Sequence, residues 1–490
     1  MNTPRIFATA DGKNHFVTFA LVSSLFLLWG FCNGMIDVMD KHFQEELGLT
    51  LSQSAWVQFA HYLGYFLMAL PAGWIATKLG YRGGIIAGLL MVAAGGLWFI
   101  PATQIAQFWA FLLGVCLIAA GLTFLETVAN PYTTVLGAPE YAATRINLAQ
   151  SCNGIGWILG PMAGAMFFYS TDASGKSTGS ETLWIPYAAV AAVVVLLAFV
   201  FAKAPMPDLI GAETPAPKDG EQSSSAQPHA GRASKLLLLL NLAVLGVSIG
   251  MIASAIAVVV SQDLFLPVLL GVSALFVVLV APWVVRSAKD MSIGSIWAHP
   301  HFSGATLAQF AYVAAQSGIF AYFINYMTSQ PPVPVSNATA STLASLGFAC
   351  FLAGRFIGAG VVKKIAPHKV LGTYALINVA LCLLVMAKAG WVSVVGVFAI
   401  YFFMSIMFPT IFALGVSGLG AKTKKAASYI VMAIMGGAIM PKLMGHVADI
   451  SNVSVSFIVP LACFIVVAVY GFTWSNLSGV AALRGGAERS

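Results

Sequence analysis

The sequence predicts an all-α membrane protein with about fourteen transmembrane helices, arranged as two six-helix halves with two extra helices between them. Composition gives two reasons: 59% of the 490 residues are hydrophobic and only 8% are charged, whereas soluble proteins carry roughly 25% charged residues. The third reason is that uncharged runs of about twenty residues recur along the chain, and a helix of that length crosses a bilayer. A soluble globule and a disordered chain are therefore excluded.

The predicted spans follow the uncharged runs in order. The first run begins at Phe16 and contains no small-residue cleavage site, so we predict a retained helix and no cleaved signal peptide. The seventh and eighth runs are the poorest in polar residues. The predicted spans are 16–38, 54–76, 83–101, 106–136, 146–169, 183–203, 235–260, 264–285, 303–326, 340–361, 370–387, 391–416, 426–447 and 455–475.

Basic residues give an independent test of this topology. With the N-terminus inside, 19 of the 24 Lys and Arg residues fall in predicted cytoplasmic segments and 3 fall in outside loops, as the positive-inside rule requires. We therefore predict a multi-pass protein of the plasma membrane (the inner membrane of a bacterium) with both termini cytoplasmic. The net charge of +7 indicates contact with anionic lipid, and no nucleic-acid partner is expected.

One stretch has the composition of a linker. Residues 204–234 are rich in Pro, Ser, Gly and charged residues, which predicts a disordered cytoplasmic segment. The predicted divisions are an N-terminal six-helix half at 1–203, this linker, two extra transmembrane helices at 235–296, a C-terminal six-helix half at 297–476 and a cytoplasmic tail at 477–490.

The two predicted halves carry similar patterns at corresponding spans. Pro131 is followed six residues later by Gly137, and Pro409 is followed six residues later by Gly415. Gly and Pro are common in membrane helices, but matches in the same order favour duplication of a six-helix unit. Two such units joined by a cytoplasmic linker are typical of alternating-access transporters. An enzyme is not predicted, because the sequence lacks catalytic groups such as a His-Glu-x-x-His motif.

Two acidic residues lie inside predicted spans, where a charge costs at least about 2.5–3.5 kcal/mol. Glu126 is deep in the fourth span, with no Lys or Arg within two turns. Because burial favours the neutral form of a carboxyl group, Glu126 is either a proton-coupling group or a permanently protonated side chain that hydrogen-bonds across helices. Asp37, near the outer end of the first span, is either a substrate ligand or a helix-end charge paired with Lys41. The other fifteen acidic residues fall in predicted loops or tails.

Amide side chains recur on one face of two predicted spans. Amides offer a donor and an acceptor together, which suits a neutral polyhydroxylated ligand, although hydrogen bonding between helices is the alternative. Aromatic residues nearby either pack on a sugar ring or belong to the core. The amide-bearing faces hold Asn147, Gln150 and Asn153 in the fifth span and Gln309, Tyr312 and Gln316 in the ninth, and the aromatic residues are Trp29, Phe31, Tyr62 and Tyr65.

Several segments resemble the fucose–galactose–glucose proton symporter family of the major facilitator superfamily. The resemblance covers roughly residues 20–205 and 297–475. The matching segments are WGFCNGMID (29–37), FLETVANPYTTVLG (124–137), RINLAQSCN (145–153), LAQFAYVAAQ (307–316), GRFIG (354–358), APHKVLGTYALI (366–377) and MSIMFPTIFALGVSGLG (404–420).

This resemblance implies a proton-coupled symporter that imports a hexose-type sugar by alternating access, driven by the proton gradient without a cofactor. It implies that Glu126 and Asp37 couple protons. It also implies that Asp37, Gln150, Asn153 and Tyr374 bind sugar. Asn33, in the matching segment 29–37, and Gln309, Tyr312 and Gln316 complete the predicted substrate-binding set. A monomer is expected.

The sequence departs from the family pattern in two respects. The family usually has twelve spans, and the superfamily's loop signature after the second helix normally carries Asp where this chain has Thr77.

Two alternative functions stay open. The run from Gly156 through Gly160 and Pro161 is similar to a signature of proton-coupled antiporters, so a multidrug exporter is an alternative. Sodium-coupled sugar symport is another, since Asp37 and nearby amides also suit sodium.

Overall fold

The structure is a computed structural model that describes part of the chain. The described residues are 6–8, 13–137, 142–169, 182–204, 206, 232–258, 265–289, 296–362, 365–417, 419 and 423–478. Within these ranges the chain is helical, and the one β contact is a bridge between Ala8 and Asn14. Most of the predicted linker and tail, at 204–234 and 477–490, lies outside the described residues.

The N-terminal part of the chain, by which we mean the described residues from 13 to 206, is helical. Capping of the short α2 is provided by Thr50, which accepts a hydrogen bond from Gln53 N. The helices are α1 (Phe16–Glu46), α2 (Leu51–Ser54), α3 (Trp56–Ile105), α4 (Phe108–Val135), α5 (Ala142–Phe168) and α6 (Trp184–Lys203).

The remaining described residues form two helices that precede a second helical group. The second group covers residues 296–478, and we call it the C-terminal part. The helices are α7 (Arg232–Val258), α8 (Phe265–Lys289), α9 (Pro300–Ala321), α10 (Phe323–Ser329), α11 (Asn337–Val362), α12 (Pro367–Met386), α13 (Trp391–Met404), α14 (Met407–Val416), α15 (Thr423–Met432), α16 (Gly436–Ile450), α17 (Val453–Ser456) and α18 (Ile458–Leu477).

Ten helices of the described chain are long and apolar enough to cross a bilayer, or eleven if the bent pair α9 and α10 is one span. The bend between these two helices is 43°. The predicted class, an all-α multi-pass membrane protein, is therefore confirmed. The count of about fourteen spans and the division into two six-helix halves stay predictions.

The second and third predicted spans, 54–76 and 83–101, fall almost entirely within α3, which is bent at one residue. The direction of the chain changes at Gly80, whose φ of 67° and ψ of −177° are not helical. Glycine adopts positive φ without steric penalty because it has no Cβ. The two spans are thus joined at a glycine hinge with almost no loop.

Helix α1 also extends further than predicted, and this corrects the assignment of several acidic residues to a loop. The predicted first span ends at residue 38, but α1 continues to Glu46. Asp40 consequently lies within a helix, and its side chain is 0% exposed.

Glycines allow α1 and α5 to pack at very short distance. A Cβ atom placed on Gly156 would lie 2.2 Å from the backbone oxygen of Leu27, and one on Gly160 would lie 2.7 Å from that of Phe31. Small residues at such contacts let membrane helices approach closely. The glycines that resemble an antiporter signature therefore serve helix packing in this fold.

The two helices between the N-terminal and C-terminal parts pack against each other and against α9. Asn241 of α7 donates a hydrogen bond from Nδ2 to Ser303 O of α9 at 2.9 Å. Helix α8 has a largely apolar outer face, on which Leu275 and Val278 are exposed. Such a face is suited to contact with lipid.

We expect Gly156→Ala to destabilise the protein strongly, because the new methyl group would overlap the backbone of α1. Overpacking of this kind costs typically about 1–3 kcal/mol. Gly271→Ala is the matched control, since a Cβ on Gly271 meets no atom within 4 Å. Thermal unfolding of both variants in detergent tests the expectation, and equal melting temperatures would contradict the described α1–α5 contact.

Candidate functional site

Glu126 lies on α4 and faces a narrow crevice between α1 and α4. Its side chain is half-buried, and the crevice has room for about one water molecule. Apart from Glu126, the lining is apolar, and it consists of Leu25, Phe26, Trp29, Leu125 and Ala129.

The environment of Glu126 holds hydrogen-bonding groups but no ion pair. Among the side chains that the structure describes, no cation is paired with Glu126. Tyr65 of α3 is buried and close enough to Glu126 to interact electrostatically. Trp29 Nε1 donates a hydrogen bond to the Tyr65 hydroxyl, and the Asn33 side chain lies next to the same hydroxyl. The predicted residues Asn33 and Glu126 are thus brought together through Tyr65.

The sequence identified Tyr65 only as one of several aromatic residues near polar groups. Its partners Trp29 and Asn33 are one helical turn apart on α1, whereas Tyr65 is 36 residues away from Trp29. His61, one turn before Tyr65 on α3, packs its ring 5.0 Å from the Tyr65 ring. The His61 Nδ1 atom is buried without a hydrogen-bond partner among the described residues. The site therefore includes α3, which carries none of the predicted site residues.

The amide residues of α5 divide into two cases. Asn153 is buried, and its Nδ2 donates a hydrogen bond to Phe26 O of α1 at 3.2 Å. In this conformation one donor of Asn153 therefore connects α5 to α1, which agrees with the alternative of hydrogen bonding between helices. Gln150 is half-buried. The side chain of Asn147 lies outside the described residues.

The predicted residues of the C-terminal part lie on α9 and α12. Gln309 and Tyr312 are fully buried, and neither the Gln309 amide nor the Tyr312 hydroxyl has a hydrogen-bond partner among the described residues. Gln316 is half-buried. Tyr374 packs edge-on against Phe403, with 5.1 Å between ring centroids. Unpaired polar groups in a buried position are costly, so Gln309 and Tyr312 are suited to bind a ligand that supplies the missing partners.

Arg355 of α11 lies near Tyr312 and is the cation that faces this group. The two side chains are close enough to interact electrostatically, and the guanidinium lies 4.8 Å from the Phe351 ring centroid. Its Nε donates a hydrogen bond to Ser405 O at 3.3 Å. The sequence placed Arg355 inside a predicted span and within the matching segment 354–358, without assigning it a role.

Asp37 is the one predicted site residue whose side chain lies outside the described residues. Its position on α1 is one turn before Lys41, the cation expected to pair with it if Asp37 were a helix-end charge. Lys41 Nζ lies 3.3 Å from Glu45 Oε1. Lys41 is therefore engaged with another acidic residue, and the role of Asp37 stays a prediction.

Along the C-terminal half of α1 and the neighbouring part of α5, several hydrogen bonds join the N-terminal part to the C-terminal part. We call these interactions the closing contacts. Asp449 of α16 accepts hydrogen bonds from Leu51 N and Ser52 N, both at 2.9 Å. The other closing contacts are Tyr322 Oη to Leu51 O at 2.9 Å, Asn325 Nδ2 to Gln44 Oε1 at 2.5 Å, Lys442 Nζ to Ser52 O at 3.0 Å, Ser341 Oγ to Pro161 O at 2.8 Å and Ser345 Oγ to Ile158 O at 2.7 Å.

The family of the chain is shown by its similarity to known proteins. Residues 16–428 match the family model described as Major Facilitator Superfamily. The chain belongs to the Major Facilitator Superfamily. The crystal structure of one member, the transporter FucP in the outward conformation, has 31% sequence identity and a TM-score of 0.60, over 94% of this chain and 99% of that chain.

Curated relatives confirm the predicted branch of the superfamily. An L-fucose-proton symporter of Escherichia coli is 32% identical, over 94% of this chain and 93% of its own length. A glucose/galactose transporter of Brucella abortus is 28% identical, over 97% of this chain and 98% of its own length. The resemblance to fucose–galactose–glucose proton symporters is therefore confirmed across nearly the whole chain.

We expect Trp29 and Tyr65 to be energetically coupled through their hydrogen bond. In a double-mutant cycle, Trp29→Phe and Tyr65→Phe should deviate from additivity by about 0.5–3 kcal/mol. Trp98→Phe with Tyr65→Phe is the control, because Trp98 Nε1 bonds to Ala110 O instead and distant pairs add within about 0.3–0.5 kcal/mol. Unfolding in detergent measures both cycles, and additivity in both would rule out the described Trp29–Tyr65 contact.

Proposed function

We propose that this protein is a proton-coupled symporter that imports a hexose-type sugar by alternating access. The observation that carries the proposal is the isolated carboxyl group of Glu126, which faces an apolar crevice without a paired cation. Membership in a superfamily of transporters and similarity to an L-fucose-proton symporter and a glucose/galactose transporter support it.

Glu126 is the group proposed to carry the coupling proton. A carboxylate in an apolar crevice must either find a cation or take up a proton, because leaving the charge unpaired is costly. Proton uptake removes the negative charge, so the neutral side chain can remain in the crevice while the transporter changes conformation. Asp37, whose side chain is not described, is proposed to share this role.

Sugar hydroxyl groups are proposed to bind to amide and phenol side chains on both parts of the chain. Asn33 belongs to α1, and Asn153 of α5 contacts α1. Next to Asn33, Tyr65 adds a hydroxyl group beside Glu126. Gln309 and Tyr312 supply buried polar atoms that have no partner among the described residues. Asp37, Gln150, Gln316 and Tyr374 complete the proposed set.

The finer architecture is part of the same proposal. We propose fourteen spans, with six-helix halves at 1–203 and 297–476 and two extra helices at 235–296, in the inner membrane of a bacterium with both termini cytoplasmic. In that topology the closing contacts lie on the outer side. The described conformation would then be closed to the outside, and sugar entry would require these contacts to break.

The closed crevice beside Glu126 is consistent with this cycle. A space for about one water molecule cannot hold a hexose, so binding requires a conformation in which α1 and the C-terminal part move apart. A ligand shifts such an equilibrium only through its different affinity for the two forms. Proton and sugar together are proposed to favour the form with closed outer contacts.

We expect Glu126→Gln in proteoliposomes to retain sugar counterflow and to lose accumulation driven by a pH gradient. One proton per sugar across one pH unit supports about tenfold accumulation, and the glutamine variant should show none because it cannot release a proton. Glu46→Gln is the control, since Glu46 is an exposed acidic residue at the end of α1. Full accumulation by Glu126→Gln would exclude Glu126 as the coupling group.

A sugar panel identifies both the substrate and the coupling ion. We expect one of glucose, galactose, fucose, mannose or N-acetylglucosamine to alkalinise an unbuffered suspension of expressing cells, because symport removes protons from the medium. Cells that express Glu126→Gln should give no pH change. Uptake that depends on sodium without alkalinisation would indicate sodium coupling, and acidification on addition of a lipophilic cation would indicate the drug exporter.

A further inference from the structure

A second acidic residue is buried in the described structure, at the opposite end of α1 from the crevice at Glu126. Asp40 is 0% exposed, and neither carboxylate oxygen has a hydrogen-bond partner among the described residues. The sequence predicted a loop at Asp40, and Asp40 is not among the residues proposed to bind sugar or to couple protons. Such a position is unusual for an acidic side chain, because a buried charge without partners is strongly unfavourable.

The polar side chains next to Asp40 use their donors elsewhere. Ser54 and Gln44 face the carboxyl group. However, Gln44 Nε2 donates to Ser54 Oγ at 2.8 Å, and Ser54 Oγ donates to Leu51 O at 3.0 Å. The Gln44 Oε1 atom accepts from Asn325 Nδ2 of the C-terminal part. The second N–H of the Gln44 amide is the one donor of these two side chains that is not used elsewhere, and neither Asp40 oxygen is hydrogen-bonded to it. An ionised Asp40 is therefore poorly stabilised, whereas a neutral carboxylic acid brings a proton of its own.

The titratable groups that face Asp40 do not neutralise it. Lys41, on the same helix, is paired with Glu45. The Tyr169 hydroxyl, just after α5, donates to Val38 O at 3.2 Å, and the Tyr322 hydroxyl bonds to Leu51 O and Pro441 O. Asp449 lies beyond Tyr322 and adds a further negative charge on that side. Helix α2, with sequence LSQS, contributes no titratable side chain. Asp37, one turn earlier on α1, has a side chain outside the described residues.

Asp40 is covered by the closing contacts. The Gln44–Asn325 and Tyr322–Leu51 hydrogen bonds join the two parts of the chain directly beside it. When these contacts open, Asp40 meets water, and an aspartate in water is ionised well below neutral pH. The closed form therefore holds a proton on Asp40 that the open form releases on the same side of the membrane.

We propose that Asp40 is a second proton-binding site, distinct from Glu126, which is occupied when the closing contacts are made. Its placement on the outer side rests on the proposed function. Because the closed form binds more protons than the open form, falling external pH favours closure. Asp40 is reached only from the side on which the contacts open, so it sets how closure depends on external pH and does not itself carry a proton across.

Labelling of a buried reporter cysteine tests this proposal without sugar or a gradient. Ser341 of α11 is fully buried in the closing contacts and lies on a different helix from Asp40. Ser341→Cys is introduced into a chain whose six native cysteines are replaced by alanine and which retains sugar counterflow. All labelling rates are divided by the rate for an exposed cysteine at the same pH, because the thiolate is the form that reacts with maleimide. We expect the divided rate for labelling from outside to rise with external pH between 5 and 8, by up to about tenfold per unit for one proton.

Variants separate Asp40 from other acidic residues. Asp40→Asn should keep labelling slow and independent of pH, because the amide is neutral and similar in shape to the carboxylic acid. The exposed Glu46→Gln should retain the pH dependence. A pH dependence that persists in Asp40→Asn, or labelling that falls as pH rises, would overturn the proposal. Slowing of labelling by sodium at fixed pH, lost in Asp40→Asn, would overturn it in favour of a sodium site.

A stability measurement covers the case in which labelling is affected by poor folding. Asp40→Asn should melt at a higher temperature than the unchanged protein at pH 8, since it removes the cost of neutralising the carboxylate. The difference should be smaller at pH 5, because that cost falls as the pH approaches the pKa of an exposed aspartate, about 3.9. A lower melting temperature at both values would contradict the proposal. Sugar counterflow in the same variant tests the transport function separately, because it requires neither the pH response nor Asp40 ionisation.

Discussion

A carboxyl group in the interior of a membrane protein must be neutralised by a cation or by a proton, and this constraint governs the two sites described above. Insertion of an unpaired charge costs at least about 2.5–3.5 kcal/mol. Glu126 has no paired cation among the described side chains, and the one cation beside Asp40 is engaged with Glu45. Both groups are therefore stable in the described conformation as acids, and any movement that brings either to water changes its proton occupancy.

Helix α1 connects these two sites. Asn33 and Trp29 face Tyr65 and the crevice at Glu126, whereas Asp40 and Gln44 face the closing contacts. Asn33 and Asp40 are seven residues apart, which is about 10 Å along a helix. Because Gly156 and Gly160 hold α1 tightly against α5, we expect the two helices to move as one body. A tilt that opens the closing contacts would accordingly shift Trp29 and Asn33 relative to α4 as well.

The sequence was sufficient to predict the helical membrane class and the Glu126 site, because a lone acid in a long apolar run is visible without any knowledge of packing. Tyr65 was recognised only as an aromatic residue, since its hydrogen bonds join positions on two helices. Asp40 was assigned to a loop because the hydropathy of α1 falls before the helix ends. Tyr322 and Asp449 were missed because their partners are 271 and up to 398 residues away, and these partners are backbone atoms that carry no side-chain signature.

The closing contacts combine two acidic side chains in opposite environments. Asp449 is exposed and accepts hydrogen bonds from Leu51 N and Ser52 N, and such bonds to a carboxylate are strong. Asp40 is buried, and neither of its oxygens has a hydrogen-bond partner among the described residues. Asp449 therefore holds the two parts of the chain together through directional bonds, whereas Asp40 makes the same closure depend on proton uptake, because its charge would otherwise be buried without a partner.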